Sequence, residues 1–210
     1  MWGTMDNYGF DLSKKKSQFE HIKRDERNSK IKRLIKSVII WAIEIAAVVA
    51  AAYLIVNYMV EKTVMPDDSM QITLNAGDSI IINRLAYINS EPERFDVVVF
   101  KNGSGEHVSY DIKRIIGMPG ERVLIRNGEV YINDVLLEET INVDKMLLSG
   151  FASDPIVLEK DEYFVLGDNR NSSDDSRFSS LGNIVREDIV GKAWFRLNEF
   201  IIINEANKKD

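Results

Sequence analysis

The sequence contains no cysteine and only two histidines among its 210 residues. Without cysteine, the protein forms no disulfide bond and no thiolate zinc site. The two histidines, His21 and His107, leave little for a histidine-based metal site or for a Ser-His-Asp triad. We therefore expect neither a metal nor another cofactor. The formal net charge of −6 gives no whole-chain reason to expect a nucleic-acid partner.

One long apolar segment stands out near the N-terminus. Residues 38–60 read VIIWAIEIAAVVAAAYLIVNYMV, and Glu44 carries their single formal charge. A helix needs about 20 apolar residues to cross the hydrocarbon core of a bilayer. The alternatives are a buried core helix or a cleavable signal peptide, but a signal peptide usually has a shorter apolar core and a small-residue cleavage site. The length therefore predicts a retained transmembrane helix, which we place at residues 37–60.

The charges on the two sides of this segment differ in sign. Basic residues dominate from Lys14 to Lys36, whereas the remainder of the chain is acidic. The positive-inside rule then places the N-terminus in the cytoplasm and the part after the segment outside. We predict a single-pass protein of the cell membrane, in contact with the lipid bilayer. Its parts are a largely disordered cytoplasmic basic tail at residues 1–36, the helix, and an extracytoplasmic catalytic domain at residues 61–210.

After the apolar segment, the chain consists of short runs rich in β-branched and aromatic residues, separated by turn signals. These runs predict strands at residues 79–83, 96–100, 123–126, 129–132 and 163–166. The pair Asn127-Gly128 separates two of them and is the favoured signal for a two-residue hairpin. We find no helical period of useful length here, except around residues 186–189. The prediction is a mostly β domain, built as an antiparallel sheet or barrel-like structure.

Candidate catalytic residues lie in four blocks of this domain. The blocks read SMQITL at 69–74, RFDVVVF at 94–100, KRIIGMPGE at 113–121 and GDNRNSSDDSR at 167–177. A serine nucleophile needs an activating base, and a lysine can provide it when burial lowers the lysine pKa enough to keep the amine neutral. Composition alone selects neither the serine nor the lysine. Local turn chemistry would also explain the Asp, Asn, Ser and Gly residues of the last block.

Taken together and in this order, the blocks resemble the motifs of bacterial type I signal peptidases of the short, Gram-positive-like form. The family motifs are S-M-x-P-T-L, R-G-D before a hydrophobic strand, K-R-hydrophobic-I-G-x-P-G-D and G-D-N-R-x-x-S-x-D-S-R. The last one matches at every fixed position. The sequence GKAWFR at 191–196 resembles the closing strand of the family. The resemblance covers roughly residues 38–197. With it, we interpret residues 167–177 as part of the site rather than as a simple turn.

This resemblance implies a membrane-anchored serine endopeptidase that removes N-terminal signal peptides from exported preproteins with a Ser/Lys dyad. Ser69 would attack the scissile carbonyl, Lys113 would act as general base, and the backbone N–H of Ser69 would stabilise the oxyanion. Ser173 would hydrogen-bond to the lysine and orient it. The residues that would support the catalytic strands are Arg114, Asp168, Asp175 and Arg177.

The sequence departs from the family pattern at several positions. Ile72 replaces the proline of the nucleophile motif, and Phe95 replaces the glycine of R-G-D. Asp67 precedes the serine by two positions, where relatives often carry a hydroxyl, and its acceptor-only carboxylate would repel an oxyanion. Asp111 replaces an aromatic residue two positions before Lys113. On a strand these two residues share a face, so the carboxylate would favour the charged lysine.

Two alternatives to this interpretation stay open. One is a catalytically impaired, membrane-anchored β-domain that binds preproteins or another partner, which the acidic pair Asp67 and Asp68 favours together with Asp111. The other is a self-cleaving repressor-type peptidase, which shares Ser/Lys chemistry. Such peptidases are soluble and lack the G-D-N-R block, so the apolar segment and residues 167–177 argue against this second alternative.

Overall fold

The computed structural model describes residues 12–103 and 109–203. The predicted surface residue His107 and the first eleven residues of the predicted basic tail lie outside this range. The chain divides into two compact units, Met1–Leu54 and Ile55–Asp210. We describe each unit by itself.

Helix α1 runs over Leu12–Met59. The sequence has no glycine or proline between Gly9 and Pro66, so no strong helix breaker interrupts it. In the described part of the chain, it is the one helix that is long and apolar enough to cross a membrane, by length and composition alone. Its start corrects our prediction, because residues 12–36 are helical rather than largely disordered. The lysine, arginine and glutamate residues of this segment are good helix formers.

The second unit is mostly β. The five strands predicted from the sequence are confirmed, with shifts of one or two residues at some ends. The strands are β1 Val60–Val64, β2 Ser79–Asn83, β3 Val97–Asn102, β4 Ser109–Gly117, β5 Arg122–Arg126, β6 Glu129–Ile132, β7 Val135–Leu136, β8 Ile156–Val157, β9 Glu162–Leu166, β10 Ile184–Val185, β11 Ile189–Arg196 and β12 Ile201–Ile202. Two short 3₁₀ helices lie at Gly150–Ser153 and Arg186–Asp188.

The larger sheet has the strand order β1-β2-β11-β3-β4-β9-β10, and β12 pairs with β11. Its described pairings are all antiparallel. The central strand β3 buries four consecutive residues, Val97–Phe100. Val97 and Val99 enter one apolar cluster, while Val98 and Phe100 enter another. Both faces of the sheet are therefore covered around β3, the strand that pairs with β4 and holds it in place.

The smaller sheet has the order β7-β6-β5-β8 and packs a separate apolar cluster. Its central hairpin joins β5 to β6 through Asn127 and Gly128. Both residues have positive φ angles, 54° and 78°. A two-residue turn of type I′ requires this conformation, so the hairpin predicted from Asn-Gly is confirmed.

Candidate active site

The segment between β1 and β2, residues 65–78, forms what we call the nucleophile loop. Met70 and Leu74 of this loop have no exposed surface and belong to an apolar cluster of the larger sheet. The backbone N–H of Leu74 donates to the carbonyl of Met70 at 2.8 Å, which closes a tight turn. Ser69 is 3% exposed and lies next to the anchored Met70. Core packing of its neighbour therefore fixes the position of the serine.

Lys113 lies in the middle of β4, opposite Val98 of β3, and is also 3% exposed. Its Nζ atom donates a hydrogen bond to Oγ of Ser69 at 2.8 Å. A general base must lie within about 2.6–3.2 Å of the group whose proton it removes. The fold thus brings together two residues that are 44 positions apart in sequence, and it buries both of them.

A buried ion pair adjoins this dyad. Arg114 donates from Nε and Nη2 to the two carboxylate oxygens of Asp168, at 2.8 and 2.6 Å. The hydroxyl of Thr73 donates to the same carboxylate at 2.6 Å. Strand β4, the end of β9 and the nucleophile loop therefore meet at one carboxylate. Thr73 was not among the residues predicted from the sequence, although the threonine of S-M-x-P-T-L was a signal for it.

A second buried pair organises residues 167–177. Arg177 donates from Nε and Nη2 to Asp175, at 2.8 and 2.9 Å, and from Nη2 to the carbonyl of Arg170 at 2.6 Å. The backbone N–H of Gly167 donates to Oδ2 of Asp175 at 3.1 Å. We call Arg114 together with residues 167–177 the ionic framework. The supporting residues predicted from the family resemblance, Arg114, Asp168, Asp175 and Arg177, thus form two buried ion pairs in this framework.

Gly167 lies where this framework touches the nucleophile loop. A Cβ atom at this position would lie 2.2 Å from Oγ of Ser173 and 2.5 Å from the carbonyl oxygen of Ser69. The backbone N–H of Asn169 donates to that same carbonyl at 2.9 Å. The absence of a side chain is therefore required for this close approach.

Ser173 differs from our expectation. Its hydroxyl donates to the backbone carbonyl of Asp174 at 3.5 Å, instead of bonding to Lys113 as predicted. The side chain still lies beside Gly167, next to the nucleophile loop. The family motif identified the neighbourhood of Ser173 correctly. Its partner depends on a hydroxyl rotamer, which sequence does not encode.

Asp67 points into the site. Its Oδ1 atom accepts a hydrogen bond from the backbone N–H of Ser69 at 2.9 Å. Burial raises the pKa of Asp67, but the hydrogen bonds from the hydroxyl and N–H of Ser69, with the charge of Lys113, outweigh it and lower the pKa below its ordinary value. Repulsion of an oxyanion by Asp67 was expected from the sequence, whereas the hydrogen bond between Asp67 and the N–H of Ser69 was not.

Asp111 bonds away from the dyad. Its Oδ2 atom accepts a hydrogen bond from Nδ2 of Asn102 at 2.7 Å. In the register of β3 and β4, Asn102 lies opposite Ser109, on the side of Asp111 that is remote from Lys113. The contact therefore draws the carboxylate away from Lys113, so the predicted approach of Asp111 to the lysine is corrected.

Two departures from the family pattern have unusual backbone angles. Phe95 has φ of 71°, and Ile72 has φ of 103°. The first angle explains a glycine in the family, because glycine adopts positive φ without steric strain. The second is a strained conformation for a β-branched residue, and proline, fixed near −65°, does not adopt it. The nucleophile loop therefore differs locally from one that carries proline at this position.

The part of the chain that the structure describes contains no group of three or more His, Asp or Glu side chains arranged to hold a metal ion. The buried polar groups around the dyad are satisfied by protein partners instead. Arg114, Asp168 and Thr73 bond to one another, and Lys113 bonds to Ser69. This arrangement can support attack by an activated serine.

Comparisons with known proteins agree with the geometry. The family model for signal peptidase, peptidase S26, matches residues 37–198. Signal peptidase I S of Bacillus subtilis is 33% identical over 180 residues, which cover 82% of this chain and 95% of that protein. Probable signal peptidase I-2 of Synechocystis is 35% identical over 145 residues, 67% of this chain and 64% of that protein.

A solved signal peptidase I from Enterococcus faecalis is 33% identical and covers 49% of this chain and 97% of the solved chain, with a TM-score of 0.39. The extent of the family match decides the assignment, since it includes the dyad and the whole ionic framework. These findings favour the peptidase interpretation over the impaired β-domain. The chain therefore belongs to the signal peptidase family, peptidase S26, and is a serine endopeptidase.

Proposed function

We propose that this chain removes N-terminal signal peptides from exported preproteins, with Ser69 as nucleophile and Lys113 as general base. The observation that carries the proposal is the 2.8 Å hydrogen bond between two buried groups, Nζ of Lys113 and Oγ of Ser69. The similarity to proteins named signal peptidase I supports the substrate class. Together they support both the chemistry and the substrate class of the proposal.

The reaction begins when neutral Lys113 accepts the hydroxyl proton as Oγ of Ser69 forms a bond to the scissile carbonyl carbon. The carbonyl oxygen becomes an oxyanion, to which the N–H of Ser69 donates. Collapse breaks the C–N bond, and Lys113 returns the proton to the leaving amine. Water then hydrolyses the acyl ester, with Lys113 again as base. In the structure Nζ donates to Oγ, so the direction of this hydrogen bond reverses before attack.

The proposal includes a membrane location. Helix α1 contains an apolar stretch long enough to cross a bilayer, and basic residues precede this stretch. By the positive-inside rule, the N-terminus is cytoplasmic and the part of the second unit after residue 60 is extracytoplasmic. Signal peptides emerging from the bilayer would then reach Ser69 on the outer side. Protease added to intact spheroplasts should digest the second unit. Protection of peptides that contain Lys113 would reverse the orientation.

The dyad is tested by cleavage of a model preprotein in detergent. Ser69→Ala and Lys113→Ala should each lower kcat/KM by at least about 10⁴-fold, because the two residues act as a unit. Lys113→Arg should fail equally, since guanidinium does not act as a base in this pH range. Ser109→Ala and Lys101→Ala change exposed residues of the same two types and serve as controls. Full activity of the Lys113→Arg variant would show that another group is the base.

A further inference from the structure

Asp67 accepts a hydrogen bond from a backbone donor that the proposed reaction needs. The backbone N–H of Ser69 is the donor that would stabilise the oxyanion, and in the structure it donates to Oδ1 of Asp67 at 2.9 Å. A carboxylate oxygen and a developing oxyanion are both anionic acceptors of a backbone N–H group. The two acceptors therefore compete for one N–H group.

The serine hydroxyl is also engaged by the resting arrangement. A hydroxyl carries one donor and two acceptor lone pairs. Oγ of Ser69 accepts from Nζ of Lys113 at 2.8 Å, so one of its lone pairs is already engaged by the general base. Burial raises the pKa of Asp67, but hydrogen bonding to Ser69 and the charge of Lys113 lower it below its ordinary value, so the side chain stays ionised at neutral pH. Substrate, rather than a change of pH near neutrality, has to break the arrangement.

An aspartate that accepts the N–H two residues ahead can also be an ordinary turn. Two observations distinguish Asp67 from such a turn. The N–H it holds belongs to Ser69, and the hydroxyl of that same residue accepts a hydrogen bond from Nζ of Lys113 at 2.8 Å. The neighbouring Asp68 provides the comparison, because its Oδ1 atom accepts the N–H of Ala76, at 3.3 Å, rather than that of the nucleophile.

We propose that, in the resting enzyme, the carboxylate of Asp67 accepts the hydrogen bond of the oxyanion donor, the N–H of Ser69. The substrate carbonyl must then displace this carboxylate before Ser69 reacts. The side chain is exposed, so it can turn into solvent without repacking the core. This inference rests on the proposed function, in which the N–H of Ser69 is the oxyanion donor. Asp67 thus lowers the rate of the reaction that its own active site catalyses.

The first test measures the hydrogen bond itself by NMR of the full chain in detergent micelles. Asp67→Ala should shift the amide proton of Ser69 upfield, because the carboxylate acceptor is lost. Asp68→Ala is the matched control, since it should move the amide of Ala76 and leave that of Ser69 in place. An unchanged Ser69 amide in the Asp67→Ala protein overturns the proposal, whatever the activity.

The second test measures kcat/KM on a signal-peptide substrate. Asp67→Asn keeps an acceptor for the turn but removes the charge, and a charge-assisted hydrogen bond is roughly twice as strong as a neutral one. We expect kcat/KM to rise about tenfold, while Asp68→Asn, with the same change in net charge, should leave it within about twofold. Equal activity of the Asp67→Asn protein and wild type, or a loss of activity, overturns the proposal.

The two tests separate this inference from the proposed function. If the Ser69 amide shifts as expected but wild type and every variant fail to cleave the signal-peptide substrate, the proposed function fails, and with it the role assigned to the displaced carboxylate. If wild type cleaves the substrate and the Ser69→Ala protein does not, the function stands. The Asp67→Asn result then decides whether displacement of the carboxylate limits the rate.

Discussion

The ionic framework and the nucleophile loop lie side by side, yet they tolerate change differently. In the framework, Asp168 and Asp175 are fully buried, and each faces an arginine that is 2% exposed. In the loop, Asp67 and Ile72 are exposed and depart from the family pattern. Removing one partner of a buried ion pair leaves an uncompensated charge, whereas a solvent-facing side chain can change at little cost. Burial thus explains which half of the site keeps the family pattern.

The largest effect should come from the framework. Asp168→Asn leaves Arg114 buried without a counter-charge, so we expect the free energy of unfolding to fall by about 3–5 kcal/mol. Thermal or denaturant unfolding of the protein in detergent measures this loss. Asp154→Asn, at an exposed aspartate, should change stability by less than about 0.5 kcal/mol. Equal stabilities of the two variants would show that the buried pair contributes no more than a surface charge.

An intermediate effect should come from the strained loop. Ile72→Gly removes a β-branched side chain from a residue with φ of 103°, and we expect a gain of roughly 0.5–1 kcal/mol in unfolding free energy. Ile72→Pro should lower stability, because proline does not adopt this angle. Ile88→Gly, at an exposed isoleucine outside the positive-φ region, is the control and should not be stabilised. A stabilising proline would mean that the loop adopts another conformation.

The smallest effect should come from Asp111. Because Asn102 holds its carboxylate away from Lys113, Asp111→Asn should leave the pH profile of kcat/KM within about twofold of wild type at each pH. Any residual shift should move the rise in activity toward lower pH, since removal of a negative charge favours the neutral amine. Asn102→Ala frees the carboxylate and should move the rise in the opposite direction. A large shift in the Asp111→Asn protein alone would show that the carboxylate reaches the lysine.

The sequence predicted the parts of this molecule that follow from pattern. The five strands followed from β-branched runs, the β5–β6 hairpin from Asn-Gly, and the pairing of Ser69 with Lys113 from family motifs. Strand β4 was not among these five predicted strands, because Asp111 and Lys113 belong to residue types that are depleted in strands.

Features that depend on the orientation of a side chain were not predictable. The N–H group that donates to Asp67, the acceptor of the Ser173 hydroxyl and the hydrogen bond from Asn102 to Asp111 each depend on one rotamer among several. Similarly, the positive φ of Ile72 runs against the preference of a β-branched residue, so local propensity points the other way. Tertiary contacts decide these details, and they decide the electrostatics of the site.

Gly167 has a consequence for motion. Its bare backbone lies against the carbonyl of Ser69, and the N–H of Asn169 is bonded to that carbonyl. Without a side chain as spacer, the two segments share one contact surface and cannot separate by a small rotation of either. Local opening should therefore release them together as one cooperative unit, and the amide of Asn169 should exchange with solvent only when the serine backbone also lifts away.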